Sequence, residues 1–163
     1  MNRMLIAGVG NMFLGDDGFG VEVAHRLARE TWPEDIHVED FDIRGVHLAY
    51  ELIAGYDAAI IVDTVSRGAA PRTIYVVKPD LEGARSRSIS DSHDMVLDNV
   101  FAMVRTLGGS LPARVLIVGC EPAELGEKIG LSEPVSRAIP NAIRAVREVI
   151  DEGVERPCRF HIE

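Results

Sequence analysis

Four residues carry the chemistry this sequence could do: the adjacent pair Asp16 and Asp17, then Asp63, then His93. The pair sits in a glycine-bracketed turn, Gly15-Asp16-Asp17-Gly18, just after the apolar run Met4-Leu5-Ile6-Ala7 and the turn Gly8-Val9-Gly10-Asn11. Asp63 closes a second apolar run, Ala58-Ala59-Ile60-Ile61-Val62. His93 opens a helical stripe with Val96, Leu97, Val100, Val104 and Leu107, on its apolar side and therefore toward the sheet. A helix N-terminus disfavours imidazolium, which keeps such a ring neutral and able to ligate. Two carboxylates, one imidazole and an open position suit a borderline divalent cation, zinc or nickel.

Each residue also has an ordinary structural reading. Asp16 or Asp17 could cap the first helix, which favours acids at its start. Asp63 could form a turn after its strand, and His93 could be a core histidine bonded to a carbonyl. What those readings leave unexplained is why all of them fall at one edge of the fold.

The elements that must position these residues follow from the hydrophobic pattern. The run from Met4 reads as a buried first strand, and Gly20, Val23, Ala24, Leu27 and Ala28 mark a helix ending near Trp32-Pro33. Residues 36–41 alternate as a half-buried second strand, leading through Asp42-Ile43-Arg44-Gly45 into a helix with Leu48, Leu52 and Ile53. The strand ending at Asp63 is followed, after only residues 64–72, by another at 73–77. A parallel crossover needs a dozen or more residues, so the fourth strand is predicted to run antiparallel. A helix from His93 is stopped by Gly108-Gly109, and a fifth strand over 114–119 precedes a long last helix opened by Ser132 and Pro134, with a kink expected at Pro140. The expected fold is α/β: a three-layer sandwich with a five-stranded, mostly parallel twisted sheet, one antiparallel strand at 73–77, and helices on both faces. In the doubly wound order 2-1-3 the exits of strands one and three diverge, and Asp17 and Asp63 face each other across that crevice.

The chain of 163 residues is expected to form a single domain, with a flexible tail from about 154. Its formal charge of −9, from 17 basic and 26 acidic residues, argues against a nucleic-acid or anionic-membrane binder and for a protein partner or a cation. The apolar runs are strand-sized, so no membrane insertion is expected, and the N-terminal run is too short for a signal peptide; a cytoplasmic protein is expected. Cys120 reads as a buried structural thiol, and His25, His37, His47 and His161 as solvated. Gly8-Val9-Gly10 begins like a dinucleotide fingerprint, but Phe13 replaces the third glycine and the two aspartates would repel a pyrophosphate.

Taken in order, Gly8-Val9-Gly10-Asn11 with Asp16-Asp17-Gly18 and Gly20-Val21, then Ile61-Val62-Asp63, Ser90-x-x-His93 with Leu97, and Gly119-x-x-Pro122 through Gly130-Leu131-Ser132 resemble the nickel-iron hydrogenase maturation endopeptidases. Pro140 inside the last helix is similar too. The resemblance implies an endopeptidase that removes a C-terminal extension from a hydrogenase large-subunit precursor after nickel insertion. It also implies that Asp17, Asp63 and His93 are metal ligands. Some members carry Glu where this chain has Asp17, and the shorter side chain would draw the metal closer to the loop. The nickel would arrive with the precursor, and zinc or cadmium could substitute in the isolated protein, which is expected to be a monomer. Asp16 is a candidate general base. Where members often read Asp-Gly-Gly-Thr, this chain reads Asp42-Ile43-Arg44-Gly45; Asp42 and Arg44 are candidate substrate-binding residues, and this departure bears on which hydrogenase is the partner. Two alternatives stay open: a non-catalytic chaperone that checks for nickel, and a small-molecule metallohydrolase of similar fold.

Overall fold

A computed structural model describes the backbone of residues 3–79, 92–154 and 159–161, with side chains for 3–79 and 97–154. Its centre is a sheet in the order β2-β1-β3-β5-β4-β6. The strands are β1 (Met4–Val9), β2 (Ile36–Asp42), β3 (Ala58–Thr64), β4 (Ile74–Val77), β5 (Arg114–Cys120) and β6 (Arg159–His161). β1, β2, β3 and β5 are parallel, and β4 runs antiparallel to β5, as its short connection requires. That connection crosses the carboxyl end of β5, with the Val65 N–H bonded to the Cys120 carbonyl and the Arg72 N–H to that of Glu121.

The sequence leads to five strands and a tail; the structure adds a sixth strand, β6, paired to β4 through Ile74–His161, Tyr75–Phe160 and Val76–Arg159. Three residues cannot display an alternating pattern, and their partner lies more than 80 positions back, so no local signal marks them. β1, β3, β4 and β5 are buried on both faces, which is why they read as continuous apolar runs, whereas β2 at the edge is only partly buried and alternates.

Alternate side chains feed two cores. Ile6, Ile60, Val62 and Val118 pack under α1 (Phe19–Ala28) and α4 (Glu133–Asp151). Leu5, Ala7, Ile61 and Ile117 pack under α2 (Gly45–Leu52) and α3 (Ser92–Thr106). α4 is assigned as one helix through Pro140, which faces solvent where water can serve the Ser136 carbonyl it leaves without a donor. Ser90, part of the Ser90-x-x-His93 resemblance, lies outside the described residues. No helix among the described residues is long and apolar enough to cross a membrane.

The position of α1 is set by backbone contact. A Cβ on Gly20 would lie 2.1 Å from the Val62 carbonyl oxygen and 2.5 Å from that of Val9, so only glycine lets the helix start against the ends of β1 and β3. Gly10 has φ of 143° and backs onto the Asp17 carbonyl, 1.9 Å from where a Cβ would stand. Replacing Gly20 by Ala should lower stability by about 1–3 kcal/mol, the range for overpacking a close-packed interior. Urea unfolding reads this as a lower midpoint at unchanged slope, and an unchanged midpoint would contradict the contact.

Candidate active site

Asp16 and Asp17 occupy a single 3-10 turn, Gly15–Gly18, between β1 and α1, and the whole turn is buried. Their side chains have different partners. Asp16 is fully buried, and its carboxylate accepts four hydrogen bonds: from the N–H groups of Ala123, Glu124 and Ser132 at 2.7–2.8 Å and from the Ser132 hydroxyl at 2.9 Å. Its N–H donates to the Glu124 carbonyl, and its own carbonyl accepts from the Thr64 hydroxyl at 2.7 Å. One residue therefore ties the loop after β1 to the end of β3 and to the β5–α4 loop. Both oxygens of Asp16, the candidate general base, accept bonds from donors of the chain itself, and the residue is fully buried. Ser132 opens α4 as expected, but its hydroxyl serves Asp16 and makes no cap bond to its own helix.

Asp17 is 6% exposed, and its Oδ2 accepts the Asn11 N–H at 3.0 Å. Asp63, the penultimate residue of β3, is 2% exposed, and its Oδ1 accepts the Thr64 N–H at 2.7 Å. The Thr64–Asp16 bond joins the two segments, so both carboxylates stand where the exits of β1 and β3 diverge, the switch point at which open α/β sheets build sites. Each has one oxygen oriented by a backbone donor. Burying such carboxylates is tolerated when they are bonded or hold a cation, and a hard or borderline divalent ion fits this oxygen donor set. Position 93 lies in the first turn of α3, in helical register with Leu97 and Val100, both buried. The His93 side chain itself is outside the described residues, and among the described residues no group of three or more His, Cys, Asp and Glu forms a cation site.

The loop after β2 is tied to the same edge. The Asp42 carbonyl accepts the Gly10 N–H at 3.0 Å, and Asp42 has a positive φ of 48°, which aspartate tolerates better than most residues. Arg44 donates to the Asp40 and Phe41 carbonyls. Ile43, Val46 and Tyr50 are exposed beside them.

A family model described as "HycI: Hydrogenase maturation protease" matches residues 21–149. The chain belongs to this family. It is 31% identical to "Hydrogenase 2 maturation protease" of Escherichia coli over 94% of both proteins. Identity to "Hydrogenase expression/formation protein HoxM" of Azotobacter vinelandii is also 31%, over 96% of this chain and 77% of that one. The fold matches the solved E. coli hydrogenase maturating endopeptidase HybD with a TM-score of 0.78 at 29% identity, covering 96% of this chain and 98% of that one. As a member of this family the chain is a peptidase, a hydrolase of peptide bonds.

Sequence reasoning passed over a fourth buried carboxylate in this maturation protease. Glu121, 5% exposed, accepts the N–H groups of Arg67 and Ala69 and the Tyr75 hydroxyl, and so holds the loop that follows Asp63. The signal was present: like Asp63, it is an acid at the carboxyl end of an apolar strand. Burial and the bond to Glu121 keep the Tyr75 hydroxyl neutral by raising its pKa. His25 and His37, expected to be solvated, pair with the carboxylates of Asp40 and Glu39.

Cys120 is a buried free thiol, as expected, its pKa pushed up to about 12 by burial first and then by the charges of Asp16 and Glu121. The raised value removes thiolate at neutral pH, so Cys120 should resist alkylation by iodoacetamide at pH 8 in the folded protein and react after denaturation. Peptide mapping by mass spectrometry reads the label, and rapid native labelling would contradict the packing. Asp16→Ala should cost about 2–4 kcal/mol, because it strands several donors at once. Chemical denaturation checks this, and a loss under about 0.5 kcal/mol would show that the clamp contributes little.

Proposed function

We propose that this peptidase removes the C-terminal extension of a nickel-iron hydrogenase large-subunit precursor once nickel has been inserted, and that Asp17, Asp63 and His93 engage the nickel carried by that substrate. What supports the reading is the placement of two oriented, nearly buried carboxylates at the divergence of β1 and β3, with the helix carrying His93 on the α3 side of the same sheet. Membership of the maturation protease family supports the reaction class.

In this reading the chain's own residues make the site selective for a loaded precursor. Asp17 and Asp63 each keep one oxygen fixed by a backbone donor, so neither has to reorganise when the cation arrives, and preorganised charge is most effective where water is excluded. Asp16 and Glu121 hold the flanking loops and touch no reactant. Nickel seated there supplies a Lewis-acidic centre, able to polarise a carbonyl or acidify water. Asp42 and Arg44, on the loop tied to Gly10, border the region where precursor approaches. The net charge of −9 favours a cation-bearing substrate over an anionic one.

The test is intact mass spectrometry of the cognate precursor, prepared with and without nickel, after incubation with this protein. A discrete C-terminal peptide should be lost only from the nickel-loaded form. His93→Ala should lower kcat/KM by about a hundredfold or more while the protein stays folded by circular dichroism. Full processing by that variant would remove His93 from the site, and release of the peptide from nickel-free precursor at the same rate would remove the nickel gate.

A further inference from the structure

The loop that leads away from Asp63 to β4 has little interior of its own, since Arg67, Gly68, Ala69, Ala70 and Pro71 are all exposed. The residues at the end of β5 give it a shape. Val65 donates its N–H to the Cys120 carbonyl and lays its side chain on Gly119, where a Cβ would stand 2.3 Å from a Val65 methyl carbon. At the far end the Arg72 N–H bonds to the Glu121 carbonyl, and the Glu121 N–H to that of Thr73. Between these two ends the N–H groups of Arg67, at 2.8 Å, and Ala69, at 3.2 Å, converge on one oxygen, Oε1 of Glu121. Gly68, the residue between them, has φ of 83°, a left-handed conformation that turns the flanking amides inward. Amides gathered in this way form a nest, a concavity suited to an anion. Here a carboxylate of the same chain fills it.

We infer that Glu121 is a positioning residue for Asp63: by filling this nest it fixes the path of the chain beyond Asp63, and with it the direction in which the Asp63 carboxylate is presented. The inference rests on the role proposed above for Asp63. The Asp63 Oδ1 is oriented by the Thr64 N–H, 2.7 Å away, and that N–H lies in the planar peptide joining the two residues. The plane turns with the backbone at Thr64 and Val65. On the α1 side the Thr64 hydroxyl holds it through the Asp16 carbonyl, and on the β4 side the hold is the loop. Without the carboxylate, the Arg67 and Ala69 amides lose a charge-assisted acceptor. Because Glu121 is buried, water replaces it only if the loop opens, and the exposed residues 67–71 bury little that would resist opening. A glutamine keeps the acceptor oxygen and loses the charge, so it holds the nest more weakly.

The experiment uses the full chain and the variants Gly68→Val, Glu121→Gln and Glu121→Ala, with Leu27→Ala as a control that weakens the core elsewhere. Gly68→Val strains the nest from outside: a β-branched residue resists a positive φ, while the space where its Cβ would stand is open. It therefore carries the test even if Glu121→Ala fails to fold. Amide hydrogen exchange read by NMR should show Thr64 and Val65 exchanging about tenfold faster in Gly68→Val and Glu121→Ala, less so in Glu121→Gln, with the Ile60 and Ile117 amides unchanged. In the same two variants kcat/KM on the nickel-loaded precursor should fall about tenfold, and Glu121→Gln should stay within about threefold of wild type. Wild-type exchange at Thr64 and Val65 in Gly68→Val, or faster exchange there with undiminished processing, would overturn the inference. Selective acceleration of the same two amides in Leu27→Ala would overturn it as well, by showing general stability at work. The underlying reading fails separately: Asp63→Asn cutting the precursor at the wild-type rate would take Asp63 out of the site, and the inference would fall with it. Loss of cutting in Asp63→Asn beside normal cutting in Gly68→Val would leave that reading standing and sink the role of Glu121 alone.

Discussion

The carboxyl edge of the sheet depends on one fully buried carboxylate. Asp16 accepts three backbone N–H groups and a hydroxyl from a loop that lies after the last parallel strand, and through its own carbonyl it accepts Thr64 from the end of β3. Three connections at the carboxyl edge of the sheet thereby share one anchor. Hydrogen bonds to an ionised acceptor are stronger than neutral ones, and in a buried setting leaving such donors unmade is costly. Asp17, one residue on, inherits its position from this anchor. The adjacent aspartates look alike in sequence and have different partners: the first accepts bonds from a loop more than a hundred residues on, the second from Asn11 in its own turn.

The fold was largely legible because its main signals are local. A strand buried on both faces is a continuous apolar run, and β1, β3 and β5 read as such. The antiparallel direction of β4 followed from the length of one connection. The placement of Asp63 was legible for a related reason, an acid at the end of an apolar strand, and that of Asp17 because its glycine-bracketed turn leads from β1 into α1. Position 93 was legible as the first turn of a helix.

What escaped was set by distance along the chain. Nothing near Asp16 reveals that its partners lie 107 to 116 residues ahead, so capping and general-base chemistry were the natural readings. β6 escaped because three residues carry no period and pair with a strand far behind them. Glu121 was overlooked despite a readable signal; the Pro122 that follows it made the segment look like a plain exit from the strand.

The long reach of the Asp16 bonds also orders events in time. A nascent chain exposes Asp16 and Asp17 when little more than β1 has been made, yet the donors that hold the turn are not synthesised until the segment around Ala123 to Ser132 emerges. Closing a loop of that length is entropically slow relative to local helix formation, and the bonds that result are gained together or not at all. An incomplete chain thus has Asp17 without the loop whose bonds to Asp16 hold the turn. By the topology of its own fold, this peptidase cannot complete the frame around Asp16 and Asp17 before most of the chain exists.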